Sequence, residues 1–291
     1  MKWAAIRVFV MLFFIFPQGG VLEAVASPLI SLSSDTLPQG GSALIRIKVT
    51  EGEVPHVTWM NKEVSLLPNH QRTDWVGFIG ADLTVRPGNY RLIVKEFPSR
   101  HETPLNIRVH EKDYGTRQLT LPKNMVDLDS KALKRVLKEL EIMRKLFGTL
   151  LPDPIWAGPF MRPVSGDVVG TFGRRSIINN QPRAPHSGVD LKAERGTLIR
   201  SINNGRVVMT ADHFFSGYSI IIDHGGGIQS MYFHLEKILV KRDQVVKKGE
   251  VVGMVGSTGR ATGPHLHWGI RVNGARVDPL QFNDLSQELE E

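Results

Sequence analysis

The chain has 291 residues, with 36 Lys and Arg against 29 Asp and Glu, ten His and no Cys. Its length allows two domains, each with a core of its own. The lack of Cys excludes disulfides, a lipid-modified cysteine anchor and a thiolate-based structural zinc site. A formal charge of +7 favours association with anionic polymers. The basic residues are scattered and no recognition motif is present, which argues against nucleic acid as a partner.

The first 26 residues have the pattern of an export signal. Lys2 and Arg7 precede the apolar run Val8 to Phe16, Pro17 and Gly19-Gly20 end it, and Ala24-Val25-Ala26 offers a small-residue cleavage site. The run is shorter than the about 20 residues that a membrane span needs. An exported protein in the periplasm or cell envelope is expected, with no stable membrane span after cleavage.

Residues 27–112 alternate apolar and polar side chains in short stretches, such as Ala43–Val49, Trp75–Gly80 and Tyr90–Val94. Turn signals at Pro68-Asn69 and Pro87-Gly88-Asn89 separate them. This pattern predicts an immunoglobulin-like β-sandwich, with Trp59 and Trp75 in its core rather than stacked on sugars. A linker follows over 113–153. Within it Leu133, Val136, Leu137, Leu140, Met143 and Phe147 recur at helical spacing over about 130–147. Lys131, Lys134, Lys138, Glu141 and Lys145 form the opposite face, and Gly148 is placed to stop the helix. Docking on a β domain is favoured over a membrane surface. Pro152, Pro154 and Pro159 stiffen the approach to the last domain, 154–291.

That last domain reads as antiparallel β, with strands at Val207–Thr210, Ser219–Asp223 and Leu266–Val272 and a tight turn at Gly225-Gly226-Gly227. Gly256-Ser-Thr-Gly259 is not followed by Gly-Lys-Ser/Thr or a helix, so it is no phosphate-binding loop. The chemistry-bearing residues are Pro185-His186-Ser187-Gly188-Val189-Asp190 and Gly263-Pro264-His265-Leu266-His267. His265 and His267 share a strand face. His186 and Asp190 would lie roughly 13 Å apart in an extended chain, so a turn through Ser187-Gly188 must fold them together, with Asp190 opening a strand. Tyr232 and His234 are expected on one face of the strand that ends in Phe233-His234-Leu235. Two imidazoles and a carboxylate make an open zinc site, with three protein ligands and one corner for water. Spacing alone leaves His265 and His267 as alternatives for the third ligand.

These motifs, from Gly170-Thr171-Phe172-Gly173-Arg174 through His186-x-x-x-Asp190, Tyr218, Asp223-His224-Gly225, Tyr232-Phe233-His234-Leu235 and Val246-Lys-Lys-Gly249 to His265-Leu-His267-Trp268, resemble the LytM/lysostaphin-type zinc metallopeptidases of family M23, over roughly 154–282. The resemblance implies a mainly β fold, one Zn2+ held by His186, Asp190 and His267, and His265 and His234 as catalytic imidazoles. It further implies an exported endopeptidase that hydrolyses the peptide cross-links of bacterial peptidoglycan through zinc-activated water, with stem peptides as partners. Two other readings stand beside it: a non-catalytic wall-binding factor or amidase activator, and a protease of Gly-rich proteins. The complete ligand and imidazole set argues against the former. The chain departs from many relatives at Trp268-Gly269, where an acidic residue often follows an aromatic one. His-Glu-x-x-His is absent and with it the glutamate base; an imidazole with a pKa near 6.5 is the substitute. The helix or the sandwich is expected to cover part of the groove, and no regulatory partner is specified.

Overall fold

The computed structural model describes residues 28–120, 127–149 and 151–289. The export signal expected over residues 1–26 lies outside them. Among the described residues no helix is long and apolar enough to cross a membrane.

Nine strands lie between Leu29 and His110 in two sheets. One has the order Leu29–Leu32, Ser42–Lys48, Asp74–Gly80, Leu67–Pro68. The other runs Thr36–Pro38, Glu102–His110, Gly88–Phe97, Val54–Trp59, Lys62–Val64. Both contribute to one core, in which Ile45, Ile47 and Ile79 of the first sheet meet Val57, Leu92 and Ile107 of the second. The two tryptophans belong to this core. Trp59 donates its indole N–H to the Gly80 carbonyl at 2.8 Å, and Trp75 donates to the Arg72 carbonyl at 3.0 Å.

The C-terminal part is built on a ten-stranded sheet. Its central run is Val168–Gly170, Val189–Lys192, His265–Val272, Ile228–Ile238, Gly217–Asp223 and Gly205–His213, and neighbours in that order pair antiparallel. Strand alternation divides the residues of His265–Val272 between two faces. Leu266, Trp268, Ile270 and Val272 are fully buried in the larger core. Each such burial contributes roughly 1.5–3 kcal/mol, which locks the register and leaves His267, Gly269 and Arg271 on the opposite face. Leu44 and Phe78 from the N-terminal sheets, and Leu83 from the turn after Asp74–Gly80, join this core, with Phe78 4.9 Å from Phe282 by ring centroids. The contact is tied by Arg276, whose Nη2 and Nε donate to Asp82 at 2.6 and 3.0 Å, and by Gln281, which exchanges hydrogen bonds with Ser42. The N-terminal sheets thus keep a core of their own and also send side chains into the core of the C-terminal part.

The linker helix spans Ser130–Gly148, opened by the Asp129 side chain accepting from Ala132 N at 2.7 Å. Gly148 is its last residue and Thr149 the cap that turns the chain to extended backbone. The helix docks on the sheet face opposite the main core. Met143, Leu146 and Phe147 pack against Met209, Ile221 and Met231, and the Arg271 guanidinium lies 3.9 Å over the Phe147 ring. The expected apolar stripe is only partly covered: Leu133, Leu137 and Leu140 are 46%, 58% and 60% exposed. The docked arc centres on Val136, Met143 and Leu146, which rotates those leucines off the sheet.

His224 directly follows the strand Gly217–Asp223 and is fully buried, with Nδ1 2.7 Å from the Asn204 carbonyl and Nε2 2.8 Å from Ser230 Oγ. Burial pulls its pKa down to about 4. A histidine that stays neutral in the fold binds fewer protons than in the unfolded chain. The stability it contributes is therefore complete above about pH 6.5 and lost as the pH falls towards 4, on the order of 3 kcal/mol. An NMR titration of its ring should show a midpoint near 4, with unfolding free energy declining over the same window; a midpoint near 6.5 would refute this.

Candidate metal centre

His186 does not sit on a strand. Its loop is clamped by backbone pairing to the preceding glycine turn, with Gly173 N donating to His186 O at 2.8 Å and His186 N donating to Arg174 O at 3.0 Å. The chain then turns through Ser187-Gly188 into the strand Val189–Lys192, which folds the two ends of His186-x-x-x-Asp190 together as the spacing requires. Asp190 pairs in register with His267 on the neighbouring strand. His186 Nε2, Asp190 Oδ1 and His267 Nδ1 then lie 2.9–3.0 Å from one another.

Those distances carry a chemical statement. His186 Nδ1 is 2.9 Å from the Thr171 carbonyl, which can only accept, so the ring proton is there and Nε2 presents a lone pair. Two acceptors, Nε2 and a carboxylate oxygen, therefore face each other and the third donor atom with little solvent between; the side chains are 17%, 16% and 10% exposed. Such an arrangement is unfavourable unless a cation or a proton sits among them. Burial pushes the Asp190 carboxyl up, but the hydrogen bonds and charge that His186 and His267 bring when protonated outweigh it and hold it well below the usual carboxylate range. Burial pulls His267 down. Two imidazoles and one ionised carboxylate in a close tripod fit a zinc ion with an open corner.

The other two sequence-predicted imidazoles stand beside the tripod. His265 Nε2 is 3.8 Å from Asp190 Oδ1, and its Nδ1 donates to the Gly263 carbonyl at 2.9 Å. The His234 ring lies 4.9 Å from that of His265 and 6.2 Å from that of His267, and its Nδ1 donates to the Thr258 carbonyl at 2.8 Å. Each therefore keeps Nε2 as an acceptor. Burial, reinforced by the His267 ring, pulls the His234 pKa down to about 4, so this ring is neutral at neutral pH.

One expectation is corrected. Tyr232 and His234 do not share a face: Tyr232 is buried in the core, its hydroxyl accepting from Ile202 N at 3.2 Å, whereas His234 looks into the site. The cause is a bulge. The register between Gly217–Asp223 and Ile228–Ile238 shifts between Tyr218 and Ile220, and His234 takes a left-handed φ of +62°. The bulge also frees Phe233, which stacks on His267 with rings 5.4 Å apart and 3° from parallel. Phe233 packs in turn with the cluster that receives the linker helix, so the helix, not the N-terminal sheets, lies on the tripod's face. Phe233 and the three orienting carbonyls of Thr171, Thr258 and Gly263 have no side-chain signature that spacing could have exposed.

Two glycines give the site its room. A Cβ on Gly170 would lie 2.1 Å from Asp190 Oδ2, and one on Gly188 would lie 2.8 Å from His267 Nε2 and 2.4 Å from the Trp268 carbonyl. Gly170→Ala should weaken zinc binding roughly tenfold or more, by displacing the carboxylate. Competition with a fluorescent chelator measures this, and unaltered affinity would contradict it.

Residues 184–279 match peptidase family M23. A crystal structure from Pseudomonas aeruginosa assigned to the M23 peptidases is 33% identical and superposes with a TM-score of 0.67, over 85% of this chain and 95% of that one. Peptidoglycan DD-endopeptidase ShyA of Vibrio cholerae is 43% identical over 100 residues, which is 34% of this chain and 23% of ShyA. DD-carboxypeptidase/endopeptidase Mpg of Neisseria meningitidis serogroup B is 39% identical over 104 residues, 36% of this chain and 24% of Mpg. The match thus spans about a quarter of the length of these curated relatives. Joined to a structural relative along nearly its whole length, the chain belongs to peptidase family M23.

Proposed function

We propose that the protein is an exported zinc endopeptidase that hydrolyses the peptide cross-links of bacterial peptidoglycan, with His186, Asp190 and His267 holding the metal. The observation that carries this reading is the convergence of Nε2, Oδ1 and Nδ1 within 3.0 Å, flanked by two imidazoles that each keep an acceptor nitrogen. The activities named for ShyA and Mpg support the substrate class. The full set of side chains favours an enzyme over a binding or activating module.

Zinc held by His186, Asp190 and His267 would supply a Lewis acid for the scissile carbonyl and lower the pKa of a water towards neutrality. His265 is the residue placed to take a proton from the attacking water. Its Nδ1–H is held by the Gly263 carbonyl, so Nε2 is the basic atom, and it faces the Asp190 side of the tripod. Once protonated it returns the proton to the amine released from the peptide. His234 is neutral with its proton held by Thr258, so it accepts a hydrogen bond from the attacking water and fixes its direction. Phe233 stacks on His267 and holds that ring in plane.

Purified sacculi digested by the mature chain should lose cross-linked muropeptides with glycan strands intact, and chelator should abolish this. Mass analysis showing dimeric fragments intact in both tubes would overturn the reading. His186→Ala, Asp190→Ala and His267→Ala should lose zinc and turnover together. His265→Ala should keep zinc and lose roughly 100-fold or more in kcat. Equal metal loss in all four variants would break the assigned division of labour.

A further inference from the structure

His234 holds a backbone conformation that its side chain resists. Its φ of +62° is left-handed, and a residue with a Cβ stays there only where its surroundings enforce it. Two contacts grip it. The backbone N–H donates to the Ser216 carbonyl at 2.8 Å, and ring Nδ1 donates to the Thr258 carbonyl at 2.8 Å. Both acceptors lie outside the strands: Ser216 in the turn between Gly205–His213 and Gly217–Asp223, Thr258 in the loop between Val251–Val255 and His265–Val272. The aim of the His234 ring therefore depends on what fixes these two segments to the strand that carries it.

The Thr258 side chain does so. Its hydroxyl accepts from Tyr218 N at 2.9 Å and donates to the Leu235 carbonyl at 2.7 Å. Tyr218 and Leu235 are register partners on adjacent strands, directly beside the shift that makes the bulge. Where the ladder is interrupted, one hydroxyl thus satisfies a donor on one strand and an acceptor on the other. The fit is close: a Cβ on Gly217 would lie 2.2 Å from Thr258 Oγ1. Serine offers the same donor and acceptor, whereas valine has the shape of threonine and offers neither. Arg260 N donates to the Phe215 carbonyl at 2.8 Å. This backbone tie does not need the hydroxyl, so the two segments stay joined without it.

We propose that Thr258 is a positioning residue: its hydroxyl splints the strands on either side of the bulge, and its carbonyl thereby holds His234 in one tautomer with Nε2 free to accept from the attacking water. This inference rests on the peptidase reading, which gives His234 that task. Thr258 acts through His234, so its effect belongs to turnover rather than to metal content or substrate affinity.

A double-mutant cycle on the full mature, zinc-loaded chain tests this, with a synthetic cross-linked stem-peptide dimer as substrate. Thr258→Val should keep wild-type zinc content and KM while kcat falls roughly 10- to 100-fold. Thr258→Ser should retain most of the wild-type kcat. His234→Ala should lose roughly 100-fold or more, and adding Thr258→Val to it should cost less than about twofold further, because both changes strike one function. Ring-nitrogen NMR of labelled histidine gives a readout that needs no turnover: His234 should carry its proton on Nδ1 in the wild type and in Thr258→Ser, and as a mixture of tautomers in Thr258→Val. Losses that add, a Thr258→Val enzyme with wild-type kcat, or a tautomer unchanged by Thr258→Val each overturn the assignment. Should Thr258→Val fail to fold, Thr258→Ala replaces it in the same measurements; unfolding of both makes the hydroxyl a requirement of the fold and also overturns it. A wild type that cuts no peptide while the tautomer responds as expected defeats the peptidase reading and leaves the splint standing. One that cuts the peptide while the losses add does the reverse.

Discussion

Three polar side-chain atoms converging on one point are the constraint on which this structure depends. His186 Nε2, Asp190 Oδ1 and His267 Nδ1 lie within 3.0 Å of one another, and the first two meet as acceptors unless a cation or a proton sits among them. Proteins keep such a cluster only when the surrounding fold over-determines it. Here the fold does so by covalent and packing means. Asp190 and His267 are register partners in adjacent strands, and their neighbours Val189, Leu191, Leu266 and Trp268 are all buried in one core. Moving either donor would pull large apolar side chains out of that core. His186, which lacks a strand of its own, is held through its backbone on Gly173 and Arg174 and through its ring on Thr171.

The same logic sets the division of roles among the five polar groups. Carbonyl oxygens on His186, His265 and His234 choose which ring nitrogen carries the proton, and in each case the choice leaves Nε2 available. Tautomer selection through backbone acceptors costs no side chain and needs no charge. Burial then separates the imidazoles electrostatically: His234 is held neutral, and His265 sits beside the tripod with a basic nitrogen on its carboxylate side. In the proposed mechanism one constellation would hold a metal, orient a water and move a proton without a glutamate base.

The wider architecture serves the open face of the sheet. Its other face is filled by the main core, into which Phe78 of the N-terminal sheets inserts. That joint stiffens the sheet from behind and leaves the groove side to the linker helix, whose Phe147 lies under Arg271 and which packs on the same cluster of Met209, Ile221 and Met231 as Phe233 does. Phe233 also stacks on the His267 ring.

The mainly β class, the linker helix and the residues that gather at the centre were all legible in the chain, because each has a local signature. Strands show period two, the helix shows period 3.6, and His-x-x-x-Asp with His-x-His leaves few ways to build one site. Which of His265 and His267 completes the tripod was not legible from spacing, since both lie on one strand face; pairing with Asp190 across the sheet settles which ring lies closer. The bulge at His234 was hidden for the same kind of reason. A side-chain alternation carries no mark of a left-handed φ, so Tyr232 and His234 read as neighbours until the register shift turned one into the core and the other into the site. The packing of Phe78 into the C-terminal core and the half-exposed leucines of the helix were also decided in three dimensions. Periodicity says that a face is apolar; only packing says what, if anything, covers it.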